Sequence, residues 1–144
     1  MIRVLTVRPP WSDLIALTVP GAKRIENRVW TTSWRGVLMI HGGSQVDEEA
    51  LRLPLVRKML PVGYEPVRGA IVAVADLTGI HADDGVCTPW SARGQFHWKL
   101  DQVQPLAQPV TARGKQRLWK PSPELLEAVA AADPVLQTRL LPAG

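Results

Sequence analysis

Apolar positions along the chain fall into short runs with two periods. Residues 2–7 (IRVLTV) are β-branched and aliphatic, which predicts a strand that Pro9 and Pro10 end. Trp11, Leu14, Ile15 and Thr18 then recur at helical spacing. They predict a short helix over residues 10–17 with one buried face, halted by Pro20-Gly21. Residues 24–30 (RIENRVW) alternate as a strand does. Ile25, Asn27 and Val29 share one face, and Glu26, Arg28 and Trp30 share the other. A polar turn over residues 31–35 leads to an apolar strand at residues 37–41, which closes on Gly42-Gly43.

Ser44 is placed to cap a helix starting near Val46, with Asp47, Glu48 and Glu49 favourable in its first turn. Pro54 divides that segment into two short helical pieces ending near Leu60. Residues 69–78 (GAIVAVADLT) are the most continuous apolar stretch and predict a central strand buried on both faces. Residues 79–96 hold Gly79, Gly85, Pro89 and Gly94, and predict a long loop of the kind that carries function. Two further strands are expected at residues 97–104 and 115–119. A helix follows over residues 124–132, begun by Ser122-Pro123, and Asp133-Pro134 caps a last short one. Strands interrupted by short helices, without regular βαβ alternation, indicate an α+β fold built on a small closed or half-closed barrel. No internal boundary, repeat or low-complexity tract divides the 144 residues, so one domain is expected.

Composition narrows the class. With 46% hydrophobic and 21% charged residues, the chain is expected to be globular rather than disordered. No apolar run approaches the roughly 20 residues of a membrane span. Met1 to Leu5 do not have the layout of a signal peptide, so a cytoplasmic protein without membrane contact is expected. The single cysteine, Cys87, excludes an internal disulfide. The net charge of +4 is unevenly spread: residues 1–36 hold 6 Lys/Arg against 2 Asp/Glu, and residues 85–120 hold 6 against 1. All six tryptophans (Trp11, Trp30, Trp34, Trp90, Trp98, Trp119) lie in these two basic blocks. Brought together, the blocks would interleave cations with flat rings, a surface suited to phosphates and unstacked bases.

The tightest polar cluster is Lys23, Glu26 and Arg28. Facing a cavity, these charges would need pairing or use. Lys23 there could act as base, as electrostatic clamp or as phosphate ligand; on an outward face the same residues form a solvated ion pair. Arg8-Pro9-Pro10-Trp11-Ser12 places a cation, a ring and a hydroxyl at a helix start. His97-Trp98 and the segment 114–119 add further aromatic and cationic points. His41, His81, Cys87 and His97 have no metal-site spacing, so neither a metal nor a cofactor is expected. No P-loop, Rossmann fingerprint or nucleophile elbow occurs.

LTVRPPWSDLIA (5–16), GAKRIENRVW (21–30) and RGVLMIHGG (35–43) together resemble an ASCH domain, the activating-signal-cointegrator homology domain of the PUA-like superfamily. The matching positions are Pro10, Trp11, Gly21, Lys23, Glu26, Arg28, Trp30, Arg35, Gly36 and His41, with Phe96, Trp98 and residues 113–119 similar to bacterial members. The resemblance implies a β-barrel flanked by helices, with RNA or a nucleotide bound in a cleft lined by the G-x-K-x-x-E-x-R signature. On that basis Arg8, Pro10, Trp11, Lys23, Glu26, Arg28 and Trp98 are the expected ligand-binding residues, with a base stacked on Trp98 or Trp11. The alternative is a small hydrolase, a ribonuclease or a modified-nucleoside amidohydrolase, with Lys23 and Glu26 as acid/base pair. In the amidohydrolase branch a lysine activates a threonine three residues later. Glu26 occupies that position here, so that nucleophile is missing; Thr31 and Thr32 are the nearby hydroxyls. Nothing in the sequence points to a protein partner.

Overall fold

The computed structural model describes residues 1–85 and 87–141. They form one small α+β domain; the last three residues of the expected single domain, 142–144, lie outside the described set. Six strands build one curled sheet: β1 (Arg3–Val7), β2 (Ile25–Arg28), β3 (Gly36–Gly42), β4 (Ala70–His81), β5 (Phe96–Thr111) and β6 (Leu118–Trp119). Their order across the sheet is β2-β5-β4-β3-β1-β6. β1 and β3 are parallel and the remaining neighbours antiparallel. The helices are α1 (Trp11–Ala16), α2 (Pro54–Met59), α3 (Pro123–Ala132) and α4 (Gln137–Leu140), with 3-10 turns at Ala50–Arg52 and Pro134–Leu136. No helix among the described residues is long and apolar enough to cross a membrane.

The long strands curl because their pairing is interrupted. The β4–β5 register shifts at three places and the β3–β4 register at one. Each irregularity bends the strand and strengthens its twist. The result is a half-barrel with two apolar faces. Inside, Leu5, Val7, Leu38, Ile40, Ala75, Leu77 and Leu100 pack around Trp98. Outside, Val4, Met39, Ile71 and Val74 are covered by Val129 and Ala130 of α3 and by Leu136 and Leu140. Residues of β4 therefore enter both clusters, as its unbroken apolar run requires.

Several boundaries differ from the sequence expectation for physical reasons. Ser44 caps nothing and is exposed; no helix begins at Val46. Asp47 is diverted instead, its carboxylate accepting from Ala50 N and from the Trp11 indole. β4 runs on to His81, so the loop that follows is residues 82–95. β5 continues through Pro105 and Pro109 to Thr111, well beyond residue 104. β2 pairs with β5 only over Phe96–Lys99, which leaves the far edge of β5 free where a missing proline N–H does no harm. Of the expected strand at 115–119, only Leu118–Trp119 pairs. Ser122 caps α3 and Asp133 caps the following turn, as expected.

Two glycines are required by close approach. A Cβ on Gly42 would lie 2.6 Å from the Val67 carbonyl oxygen, and one on Gly114 would lie 2.8 Å from His41 Cε1. Gly42→Ala should therefore cost about 1–3 kcal/mol, because backbone has to move. Gly79→Ala, where a Cβ meets nothing within 4 Å, should be tolerated. Trp98→Ala should cost about 3–5 kcal/mol. Chemical denaturation of the three variants against wild type measures all three differences. A Trp98→Ala melt equal to wild type would show that this ring is not the core centre.

Candidate functional site

A cleft of about 520 Å³ opens between the half-barrel, α1, α2 and residues 89–95. Its floor is the charged cluster. Lys23 follows α1 and is wholly buried, with its Nζ donating to Ile25 O and, at 3.0 Å, to Glu26 Oε1. The other Glu26 oxygen accepts from Arg28 Nε at 2.9 Å. Arg28 Nη2 also donates to Thr6 O at 2.8 Å, reaching from β2 at one sheet edge to β1 near the other. Arg28 Nη1 has no acceptor among the described residues. The alternation of β2 places Glu26 and Arg28 on one face, as in the sequence pattern, and that face is the inner one.

The protonation states follow from burial and charge. Burial pushes the Lys23 amine below the usual lysine range, and Glu26 offsets part of that. Burial pushes the Glu26 carboxyl up, but Lys23, Arg28 and the hydrogen bonds from both outweigh it and hold the carboxyl below the usual glutamate value. With all three ionised the cluster carries one net positive charge, and it faces the cleft.

The walls are aromatic and apolar. Trp11 and Trp90 stand edge to face with centroids 6.4 Å apart, and Lys23 Nζ lies 5.7 Å from the Trp11 ring centre. The Trp11 indole donates to Asp47 Oδ2 at 2.9 Å, and the Trp90 indole donates to Gly21 O at 2.9 Å. Both rings are therefore fixed. Asn27 clamps the loop wall: its Nδ2 donates to Trp90 O and its Oδ1 accepts from Ala92 N, each at 2.9 Å. Leu53, Leu55 and Val56 supply the apolar side. Arg8 sits at the mouth, mostly in solvent, 3.7 Å from Asp47.

Five of the seven expected ligand residues, Arg8, Trp11, Lys23, Glu26 and Arg28, line this cleft together. Two do not. Trp98 has no exposed surface; it lies in the core beneath the cleft, edge to face with Trp30, so no base can stack on it. Its position opposite Glu26 in the β2–β5 ladder directs it inward. Pro10 is buried and precedes α1, positioning Trp11 rather than lining the cleft. Sequence reasoning missed Asn27, Asp47 and Trp90. Their roles depend on contacts across 65, 36 and 69 residues, for which the chain gives no local signal.

The two basic blocks do meet, through the β2–β5 and β1–β6 pairings. Lys115 lies over Trp119 and Arg117 over Trp30, 5.8 and 5.0 Å from the ring centres. Arg113, Lys115 and Lys120 line a separate, shallower groove of about 380 Å³ beside α3. His41 is a buried structural link. Its Nε2 donates to Ala112 O at 2.6 Å while Nδ1 faces the Thr6 hydroxyl, and burial lowers its pKa. The four potential metal ligands also separate: His41 stands apart, whereas His81, Cys87 and His97 converge. No protein-family model matches the chain, and no curated protein matches it.

The depressed Glu26 carboxyl has a pH consequence. A carboxylate held below its unfolded value contributes stability that is complete above about pH 5 and is lost as pH falls through the folded-state value. Glu26→Gln should flatten this acid limb. It should also cost about 3–5 kcal/mol at neutral pH, because the buried Lys23 amine and the half-buried Arg28 guanidinium lose their partner. Urea denaturation of both proteins across acidic pH measures both effects. Parallel acid limbs would mean that Glu26 is not the group responsible.

Proposed function

We propose that the chain is a PUA-like domain of the ASCH type that binds RNA or a nucleotide in this cleft. One observation carries the reading: two cations and one carboxylate, with Lys23 and Glu26 buried, form the floor of a cleft walled by two fixed tryptophan rings. The volume is in the usual range for a small-molecule site, roughly 300–1,000 Å³. A base stacks on Trp11, sequence-tolerantly, since every base offers a flat face. Arg28 Nη1 and the Arg8 guanidinium take phosphate oxygens. Glu26 Oε1, which accepts from Lys23, keeps a second lone pair for an exocyclic amine.

A second reading is supported by Lys23. Its amine is lowered by burial and stands 3.0 Å from a carboxylate, the arrangement of an acid/base pair. On that reading the same cleft hydrolyses a short RNA or an acylated nucleoside, with Lys23 as base to water.

Fluorescence titration of the purified protein with mononucleotides and short single-stranded RNAs tests the binding reading. Affinity should fall with salt, log K dropping about 0.7 units per contacted phosphate for each decade. Trp11→Ala should weaken binding by about 1–3 kcal/mol, and Arg8→Glu should weaken every phosphate-bearing ligand without changing the melt. Affinity independent of salt, or equal in both variants, would move the ligand out of the cleft. Product analysis of the same mixtures decides between binding and hydrolysis, since only the second predicts turnover that Lys23→Met abolishes while ligand still binds.

A further inference from the structure

The strand junction behind the cleft carries a second constellation. β4 ends at His81 and β5 begins at Phe96; His81 and His97 are direct cross-strand partners, so both imidazoles project from one face of the sheet. The rings stand edge to face with centroids 5.0 Å apart. Cys87, in the segment that connects the two strands, lies against the rings. One ligand atom from each of His81, Cys87 and His97 lies within 4.8 Å of the other two.

Hydrogen bonding leaves one ring nitrogen of each imidazole unused. His97 is buried, and its Nε2 contacts Ala92 O at 2.8 Å. A carbonyl only accepts, so Nε2 carries the proton and Nδ1 is left as a lone pair, 3.5 Å from Cys87 Sγ. His81 is arranged the other way round. Its Nδ1 contacts Ala82 O at 2.8 Å and lies 3.4 Å from Asp84 Oδ1, which leaves Nε2 as the free lone pair. A histidine whose second nitrogen donates to a carbonyl or carboxylate is the oriented form that metal sites use. With Zn–N near 2.0 Å and Zn–S near 2.3 Å, the edge of a tetrahedron is about 3.5 Å, equal to the Cys87–His97 separation.

We propose that His81, Cys87 and His97 form a zinc(II) site that fastens the 82–95 loop to the β4–β5 junction. Two imidazoles and one thiolate match a borderline-soft divalent ion rather than calcium or magnesium. Binding forms two Zn–N bonds and one Zn–S bond, and the Cys87 thiol proton leaves to solvent. The fourth tetrahedral position is left to water. The site is distinct from the cleft but adjoins its wall: Ser91, whose hydroxyl is 2.9 Å from Cys87 Sγ, and Ala92, which holds His97, both line the cleft. Zinc would thus hold in place the loop that presents Trp90.

Cobalt(II) titration of the reduced, metal-stripped protein tests this directly. One equivalent should produce a thiolate-to-cobalt charge-transfer band and tetrahedral visible bands, and zinc(II) should displace both. Cys87→Ser should remove the charge-transfer band, and His81→Asn should weaken cobalt binding more than about tenfold. Both side chains are accessible, and unchanged circular dichroism of the metal-free variants verifies that the fold is kept. Absence of the band at one equivalent, its persistence in Cys87→Ser, or thiol alkylation at a rate zinc does not alter would each overturn the proposal.

Discussion

The seam of the half-barrel is held by charge. β2 is one edge of the sheet and β1 lies next to the other, and nothing in the ladder joins them. Arg28 spans that gap to Thr6 O, Glu26 fixes Arg28, and Lys23 fixes Glu26. A buried ion pair adds little net stability over apolar packing of the same volume, because desolvation offsets the attraction. Leucines and methionines at these positions would close the seam as well. Charges supply something packing does not, an oriented potential in a site screened from solvent. The cleft opens directly onto that potential, so the same three residues that join the seam also form the cleft floor.

The tryptophans divide by the same logic. Trp98 fills the centre of the curl and Trp30 closes over it, so these two serve packing. Trp119 lies against His41 and donates to the Thr6 hydroxyl, joining β6 to β1 from outside. Trp34 packs against the same inner core. Trp11 and Trp90 remain, both in the small cluster around Leu14 and Val56 and both lining the cleft, Trp11 half-buried and Trp90 buried. Each has its indole N–H satisfied by protein, so it costs nothing polar to cover its ring with a ligand. Lys115 and Arg117 sit over rings, and Arg113, Lys115 and Lys120 line the groove beside α3, apart from the cleft residues.

Local patterns in the chain were sufficient for β1, α1, β3, the apolar core of β4, the Ser122 cap and the shared face of Glu26 and Arg28. Each of these depends on neighbours within a turn or a strand. The failures involve partners far away. Asp47 looked like the first turn of a helix, but Pro9 O, Trp11 and the turn at Ala50 compete for it and win. The strand expected at residues 97–104 runs on through Pro105 and Pro109 to Thr111, because nothing local shows that one edge of β5 is unpaired. Trp98 is an expected stacking platform on the family resemblance; its burial is set by pairing with Glu26 across the sheet. The Cys87 cluster was hidden for the same reason. His81 and His97 are sixteen positions apart and become neighbours only through the β4–β5 register.

That register links the two halves of the molecule's chemistry. His97 lies opposite His81 on one side of β5 and opposite Asn27 on the other. Asn27 clamps Trp90 and Ala92, while His97 holds Ala92 and faces Cys87. The loop is thus gripped at adjacent residues by a strand that carries the cleft floor and by one that carries the sulfur–imidazole cluster. A long loop ordinarily opens at low free energy, because few buried contacts restrain it. Here its position is set by side chains on two rigid strands, so Trp90 is presented to the cleft in one orientation. Ligand binding to such a wall loses less ordering entropy than binding to a mobile one. The hydrogen bonds of Asn27 to the Trp90 and Ala92 backbone therefore set the shape of the cleft wall as directly as the Trp90 ring does.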